Sequence, residues 1–214
     1  MRPPVGGARR RRERFSLPSG LQGNLASQLI DSFPVLLDGA QTLRRPLAWW
    51  DEQAGVVGVI SDTHGLLREA ALEALAGSSL IIHAGDVGKP GILERLQTIA
   101  PVIAVKGNVD KGSWASSLPK TAVAQRASAL IYVLHDIQEL DLDPVVAGFH
   151  IVISGHSHKP SRVDRGGVTY LNPGSAGPRR FDLPITLARI DFARVPWKIA
   201  FIDLSPAKPR AVKS

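Results

Sequence analysis

The sequence contains no cysteine among its 214 residues. Disulfide bonds and thiolate-bound metals are therefore excluded, and any metal ion would have to be held by histidine, aspartate, asparagine or water. Long apolar runs are also missing, because nothing approaches the ~18 consecutive apolar residues that a membrane-spanning helix requires. The N-terminus has no apolar signal core, since its first 15 residues are rich in arginine, proline and glycine. We therefore expect a cytoplasmic protein without a membrane partner.

Positive charge is present in excess, but it lies at the two ends of the chain. The formal net charge is +7, of which residues 2–15 contribute +5 and residues 206–214 contribute +3, leaving about −1 between them. A solvated, disordered arm accounts for this pattern, so nucleic acid is a possible partner but not the favoured one. We predict a basic, partly disordered extension at 1–52, one domain at 53–205 and a basic tail at 206–214.

Trp49 and Trp50 stand near the end of the predicted extension. Two adjacent indole side chains are costly to expose to water. They are therefore expected to pack on the following domain or on a second subunit, which makes a homo-oligomer one of the expected states.

Apolar segments rich in β-branched residues alternate with two helical patterns in the first half of the domain. Apolar residues spaced three and four apart predict helices at 66–76 and 92–99. These helices join three strands, an order typical of parallel strands with right-handed crossovers in an α/β protein. Later strands follow tight-turn signals, which predict hairpins and a mainly antiparallel second sheet. Strands are predicted at 55–60, 80–84, 102–105, 121–125, 129–134, 151–154, 162–164, 168–171, 185–191 and 197–204.

Candidate metal ligands recur where the predicted strands end. In open α/β sheets, ligands bind beyond the carboxyl ends of the strands, so these side chains are expected to share one cleft. The alternative for any single one is a turn-forming role, because Asp and Asn favour turns. The seven residues are Asp62, His64, Asp86, Asn108, His135, His156 and His158.

Two carboxylates, one amide and four imidazoles would suit two divalent cations. Mn²⁺, Fe²⁺, Zn²⁺, Co²⁺ and Ni²⁺ accept this mixture of oxygen and nitrogen ligands. Two such ions would leave the cleft positive, which suits a phosphate ester as the substrate. His156 and His158 lie two residues apart, so in an extended backbone both rings would face the same cleft.

The order of these motifs resembles that of the calcineurin-like metallophosphoesterases. The resemblance covers residues 55–204 and is most similar to the small bacterial and archaeal phosphodiesterase branch. It implies a two-sheet αββα sandwich and the hydrolysis of a small phosphodiester or phosphomonoester. The segments that carry it are Asp62-Thr63-His64, Gly85-Asp86, Gly107-Asn108-Val109-Asp110, His135, Gly155-His156-Ser157-His158 and Asn172-Pro173-Gly174-Ser175.

The resemblance also implies a role for each candidate ligand. Manganese is the expected metal, with iron, zinc, cobalt or nickel as alternatives. A hydroxide held by the two ions would attack the phosphorus. The implied ligands are Asp62, His64 and His158 for the first metal, Asn108, His135 and His156 for the second, and Asp86 as the bridge between them.

Two positions depart from the pattern of the family. Val109 stands where many members have a histidine that assists the leaving group, and Asp110 is the nearest titratable residue. Asp110 and Asn108 are therefore the catalytic candidates, with a turn or supporting role as the alternative for Asp110. Asp136 follows His135 in place of a common glycine, so its side chain is expected to crowd the substrate or to alter the charge preference.

Arg179 and Arg180 follow the Asn-Pro-Gly-Ser stretch. Guanidinium groups bind phosphate oxygens through paired hydrogen bonds, so both residues are candidates for substrate binding. Solvated surface charge is the alternative for each of them.

Two other functions are compatible with the sequence. A nuclease or RNA-processing phosphodiesterase would use the arginine-rich residues 2–15 to bind the phosphate backbone. A non-catalytic scaffold is the other, since one branch of the same fold serves as a subunit of a membrane-coat complex. All seven ligand positions are intact, which favours catalysis.

Overall fold

The computed structural model of the protein describes residues 55–180 and 182–205. The predicted extension at 1–52, including Trp49 and Trp50, and the tail at 206–214 lie outside the described residues. The boundaries of the domain therefore stay a prediction. No helix in the described ranges is long and apolar enough to cross a bilayer.

The described part of the chain contains ten strands, two α-helices and two short 3-10 helices. Helix α1 spans Glu69–Leu75 and helix α2 spans Gly91–Gln97, each shorter than predicted. Gly77, with a φ of 73°, follows the end of α1. The strands are β1 (Val56–Ile60), β2 (Leu80–His83), β3 (Val102–Ala104), β4 (Thr121–Arg126), β5 (Ala129–Leu134), β6 (Ile151–Ile153), β7 (Ser161–Arg165), β8 (Val168–Asn172), β9 (Thr186–Asp191) and β10 (Lys198–Asp203).

The first sheet has the strand order β10-β9-β1-β2-β3. Strands β1, β2 and β3 are parallel, as predicted, while β9 lies antiparallel to both β1 and β10. The last hairpin was expected in the second sheet, and this expectation is wrong. Strand β1 is almost entirely buried, so its free edge also needs a partner, and β9 supplies it.

The second sheet has the order β4-β5-β6-β8-β7 and is mixed rather than mainly antiparallel. Strand β6 runs parallel to β5 and to β8, whereas the β4–β5 and β7–β8 pairs are antiparallel. The two predicted hairpins, β4–β5 and β7–β8, are confirmed, and the sheet is mixed because β6 lies between them and runs parallel to both of its neighbours. The polar strand β7, exposed at all five residues, takes the edge, and the mostly buried β8 returns to lie beside β6.

The two sheets pack face to face around an apolar core. Val57 and Val59 of β1 meet Ile131 of β5 and Ile153 of β6 in this core, and each fully buried side chain of this size contributes roughly 1.5–3 kcal/mol. Both helices cover the outer face of the first sheet. Segment 136–149 covers the outer face of the second. The predicted α/β two-sheet sandwich is confirmed.

Candidate metal centre

The candidate ligands lie on loops that follow the carboxyl ends of five strands. Strands β1, β2 and β3 are parallel in one sheet, and β5 and β6 are parallel in the other. Backbone hydrogen bonds join these loops: the Asp62 amide donates to the Gly85 carbonyl at 3.0 Å, and the Gly155 amide donates to the His135 carbonyl at 2.9 Å. The structure brings all seven predicted residues into one cleft between the ends of the two sheets.

Asp62, His64 and His158 form the first group. Asp62 Oδ1 lies 3.2 Å from His158 Nε2 and 3.9 Å from His64 Nε2, and the two ring nitrogens are 3.3 Å apart. Asp62 is fully buried, yet its Oδ1 accepts no hydrogen bond from the described residues. Burial lowers the pKa of His64 more than the negative charge of Asp86 raises it. Three potential ligand atoms therefore lie close together. The lowered pKa of His64 favours its neutral form, which is the form that binds a metal.

Asn108, His135 and His156 form the second group. Asn108 Oδ1 lies 3.0 Å from His135 Nε2 and 3.2 Å from His156 Nδ1. His135 Nδ1 lies 2.7 Å from the carbonyl oxygen of Ala84. Because a carbonyl oxygen only accepts hydrogen bonds, Nδ1 carries a proton and Nε2 faces the cleft.

The Asp86 carboxylate lies between the two groups. Its Oδ2 is 3.9 Å from His64 Nε2 and 3.4 Å from His135 Nε2, while Oδ1 accepts the Val109 amide at 2.9 Å. Burial raises the pKa of Asp86, but hydrogen bonds from His135 and Val109 outweigh it and lower the pKa. Burial likewise lowers the pKa of His135, and hydrogen bonds to Asp86 and to the Ala84 carbonyl raise it to about 8. Oδ2 of the ionised Asp86 carboxylate thus faces a histidine of the first group and a histidine of the second group.

The donor set fits divalent metal ions. Among the described residues, Asp62, His64 and His158 bring potential ligand atoms within 4.8 Å of one another, and so do Asp62, Asp86 and His135. The unsatisfied Asp62 Oδ1 costs about 1–3 kcal/mol in the absence of a partner, and a cation would remove that cost. Carboxylate and imidazole ligands together suit Mn²⁺, Fe²⁺ and Zn²⁺.

Two glycines allow the backbone to approach the carboxylates closely. A side chain at Gly107 would overlap the amide and carboxylate of Asp86, and one at Gly155 would overlap the Ser61 hydroxyl and the Asp62 carboxylate. Any larger residue at either position would push a ligand loop away from the cleft. The Gly-Asn and Gly-His motifs therefore have a steric cause.

Five of the seven candidate ligands have a left-handed backbone conformation. Crowding of Cβ makes this conformation cost about 1–2 kcal/mol per residue. Elsewhere in the described chain only Ala127 shares it among the non-glycine residues. The extended backbone expected at His156 and His158 is wrong, because each ring reaches the cleft from a strained turn. The φ values are 55° for Asp62, 46° for His64, 56° for Asp86, 65° for His156 and 59° for His158.

Replacing His156 with glycine is expected to give a metal-free protein about 1 kcal/mol more stable than the His156→Ala variant. Glycine removes the Cβ that opposes the left-handed φ, and its greater entropy in the unfolded chain cancels part of the gain. Urea unfolding in the presence of a chelator measures the difference. The same two substitutions at His150, which has no left-handed φ, are the control and should rank alanine above glycine. If alanine were more stabilising than glycine at both positions, the result would contradict backbone strain at His156.

Asp110 lies inside the protein rather than in the cleft. It is 1% exposed, its Oδ1 accepts the Gly88 amide at 2.7 Å, and its Oδ2 accepts the Gly107 amide at 2.8 Å. Both oxygens are occupied, and the carboxylate joins the loop after β2 to the loop after β3. A general acid has to reach the leaving group. The placement of Asp110 therefore argues against the predicted catalytic role and for a supporting one.

The Asp110→Ala substitution is expected to lower the free energy of unfolding by about 2–4 kcal/mol, because two amides lose a charged acceptor. Urea unfolding of the metal-free protein measures this loss. The exposed Asp141 provides the control, and Asp141→Ala should stay within about 0.5 kcal/mol of the unmodified protein. An equally small effect of Asp110→Ala would contradict its role in joining the loops.

Of the remaining predicted residues, Asp136 and Arg180 lie beside the cleft. Arg179 and Arg180 are both exposed, but their side chains interact with different parts of the protein. Arg179 Nε donates to the Leu183 carbonyl at 3.4 Å. Arg180 lies close enough to His64 for its charge to add to burial in lowering the pKa of that histidine. Asp136 Oδ2 lies 3.6 Å from Nε2 of His156.

Thr63 and His83 support the first group of ligands and were not predicted from the sequence. The Thr63 hydroxyl donates to the Val87 carbonyl at 2.9 Å and lies 3.0 Å from His83 Nε2. Burial lowers the pKa of His83 to about 4, so this ring is neutral near pH 7 and donates to the hydroxyl. A histidine at the end of the otherwise apolar strand β2 was the signal that could have identified the pair.

The Asn-Pro-Gly-Ser stretch supports both histidines of the Gly-His motif. Asn172 Nδ2 donates to the Gly155 carbonyl and to the Ser157 hydroxyl. The Ser175 hydroxyl donates to the carbonyl of Asp62 at 3.0 Å. The stretch therefore fixes the loops after β1 and β6 relative to each other.

The chain is similar in sequence to known proteins. A family model described as the calcineurin-like phosphoesterase superfamily domain matches residues 56–194. A protein named probable metallophosphoesterase from Methanothermobacter thermautotrophicus is 35% identical over 149 residues, which are 64% of this chain and 86% of that protein.

Two solved structures are similar in fold at low sequence identity. One, described as a novel archaeal phosphodiesterase, has a TM-score of 0.58 and 19% identity over 69% of this chain and 99% of its own. The other, vacuolar protein sorting 29 from Cryptosporidium parvum, has a TM-score of 0.55 and 22% identity over 71% of this chain and 98% of its own. Likeness at this level of sequence identity concerns the fold alone.

Proposed function

Since the chain belongs to the calcineurin-like phosphoesterase superfamily, we propose that it hydrolyses a small phosphodiester with two divalent metal ions bound in the cleft. The observation that carries the proposal is the position of Asp86. Its Oδ2 lies 3.9 Å from His64 Nε2 and 3.4 Å from His135 Nε2. A carboxylate placed between the two groups in this way would help to hold a divalent cation on each side.

The residues of the cleft divide between two metal sites. When bound, the metals would lower the pKa of a water molecule and stabilise the negative charge that develops on the phosphate. Manganese is the first choice, and iron, zinc, cobalt and nickel suit the same ligands. The proposed ligands are Asp62, His64 and His158 at the first site, Asn108, His135 and His156 at the second, and Asp86 at both.

The charge of the site favours an anionic ester. Asp62 and Asp86 supply two negative charges against four positive charges on two dications, so the loaded cleft attracts a phosphate group. Asn108 adds a neutral oxygen ligand beside the exposed Val109, which has no proton to donate. Without an acidic group at this position, esters whose leaving groups depart without protonation are the favoured substrates.

Replacing Arg180 with alanine is expected to raise KM about tenfold with little change in kcat. The guanidinium lies near His64 and can hold the phosphate equally well in the ground state and in the transition state, so its loss should weaken substrate binding without slowing the chemical step. Steady-state kinetics with an aryl phosphodiester measure the two parameters. Arg179→Ala is the matched control and should leave both unchanged, because Arg179 is turned toward Leu183. Equal effects of the two substitutions would remove Arg180 from the substrate site.

The proposed function is tested with metal-free protein to which Mn²⁺ is returned. Hydrolysis of bis(4-nitrophenyl) phosphate and of 4-nitrophenyl phosphate is followed during the metal titration. We expect hydrolysis of the diester to appear as Mn²⁺ binds and to exceed that of the monoester. Binding of Mn²⁺ without hydrolysis of either ester would support the scaffold function instead.

A further inference from the structure

His156 is the most exposed of the four histidines in the cleft. Its side chain is 45% exposed, against 10% for His64, 6% for His135 and 8% for His158. The surrounding protein fixes the other three rings by close packing. An exposed ring loses more rotational freedom when it binds a metal, so it gains most from a neighbour that orients it.

The carboxylate of Asp136 is placed to provide this orientation. His156 Nδ1 lies 3.2 Å from Asn108 Oδ1 inside the second group, while Nε2, on the opposite side of the ring, lies 3.6 Å from Asp136 Oδ2. The ring is therefore held between the cleft on one side and a carboxylate on the other. The His135 and His156 rings also pack nearly perpendicular to each other, with centroids 5.2 Å apart at an interplanar angle of 87°.

Asp136 is itself fixed by the backbone. Its Oδ1 accepts the Gln138 amide at 3.0 Å and thereby caps the short 3-10 helix Ile137–Glu139. The carboxylate has one remaining oxygen, Oδ2, and that oxygen faces His156. The backbone of Asp136 is extended, with φ −105° and ψ 120°, so its side chain is held without strain.

We infer that Asp136 is a positioning residue for the second metal. The negative charge of its Oδ2, 3.6 Å from Nε2 of His156, favours the tautomer with the proton on Nε2, which leaves the Nδ1 lone pair directed at the site shared with Asn108. The negative charge also makes the imidazole a stronger ligand, as carboxylates that contact metal-bound histidines do. A residue with no side chain at this position would leave His156 free to rotate. This inference rests on the proposed function, since it concerns the second of the two metals.

The test compares Mn²⁺ binding to metal-free wild-type protein and to Asp136→Asn by calorimetry. Asparagine keeps the cap on Gln138 but presents an amide in place of the carboxylate oxygen. We expect the second binding step, identified as the step that His156→Ala removes, to weaken 10- to 100-fold. The first step should be unchanged. Asp136→Ser, which also caps but cannot reach His156, should show the same selective loss.

Asp141→Asn, on the same loop and exposed, is the matched control and should bind both ions as the wild type does. Two unchanged binding steps in Asp136→Asn, or an equal weakening of both, would overturn the inference. Neither outcome would affect the proposed function as long as the wild-type protein binds two ions and hydrolyses the diester. A wild-type protein that binds no second ion would remove the proposed function and this inference together.

Discussion

Replacing Asp86 with asparagine is expected to lower phosphodiester hydrolysis by about a thousandfold and to prevent two metal ions from binding together. Asparagine keeps the size of the side chain and can still accept the Val109 amide, so the fold should survive. It lacks the charged oxygen that faces His64 and His135. A thousandfold loss corresponds to about 4 kcal/mol, which is within the several kcal/mol that metal ions contribute to such reactions.

Steady-state kinetics and Mn²⁺ calorimetry on the same preparation measure both effects. Asp191→Asn is the control: Asp191 pairs with Val56 at the opposite end of β1, and asparagine can still accept the Ala193 amide. It should behave as the wild type. An Asp86→Asn protein that binds two ions and keeps more than a tenth of the activity would contradict the role of Asp86 as a shared ligand.

The His156→Ala and His158→Ala substitutions are expected to weaken different metal ions, each by more than about 100-fold. His158 Nε2 lies 3.2 Å from Asp62 Oδ1 in the first group, whereas His156 Nδ1 faces Asn108 Oδ1 in the second. The loss of a direct ligand should exceed the 10- to 100-fold loss seen when only its neighbour is removed. Both variants should therefore bind one ion and hydrolyse the diester poorly.

The two variants are distinguished by a second substitution. Adding Asn108→Ala to His156→Ala should change the remaining binding step little, since both residues belong to the second site. Adding it to His158→Ala should remove the one ion that is left. Equal loss of both ions in His156→Ala and in His158→Ala would contradict the division into two sites.

The clustering of the candidate ligands could be predicted because it follows from local patterns. A buried strand appears in sequence as a short apolar run, and a polar residue just after it marks the strand end. Asp62, Asp86 and Asn108 each follow such a run, and the parallel order of β1, β2 and β3 brings the three ends together. His135 and His156 follow β5 and β6 in the same way.

The detailed conformation of the ligand loops could not be predicted. Left-handed φ angles at residues such as His64 and His158 run against the preferences of the residues themselves, and contacts from the rest of the fold impose them. The inward direction of Asp110 depends on two amides, at Gly88 and Gly107, which come from different loops. Nothing in the spacing of the motif reports such a contact.

The strand order also lay beyond the sequence patterns. A hairpin signal predicts that two strands pair with each other and leaves open which sheet the pair joins. The β9–β10 hairpin joins the first sheet beside β1, and β8 lies between β6 and β7. In each case the added strand supplies hydrogen-bond partners to the free edge of a buried strand, β1 or β6. For β9, the partner strand β1 lies at the other end of the domain sequence, and no local pattern reports that pairing.

The most direct test of the two-metal site is the position of bound Mn²⁺ in crystals of the protein, measured by anomalous scattering. Two peaks ~3.5–4 Å apart are expected, with Asp86 contacting both. One should be bound by Asp62, His64 and His158, and the other by Asn108, His135 and His156. A single peak at saturating Mn²⁺, or two peaks that do not share Asp86, would contradict the account.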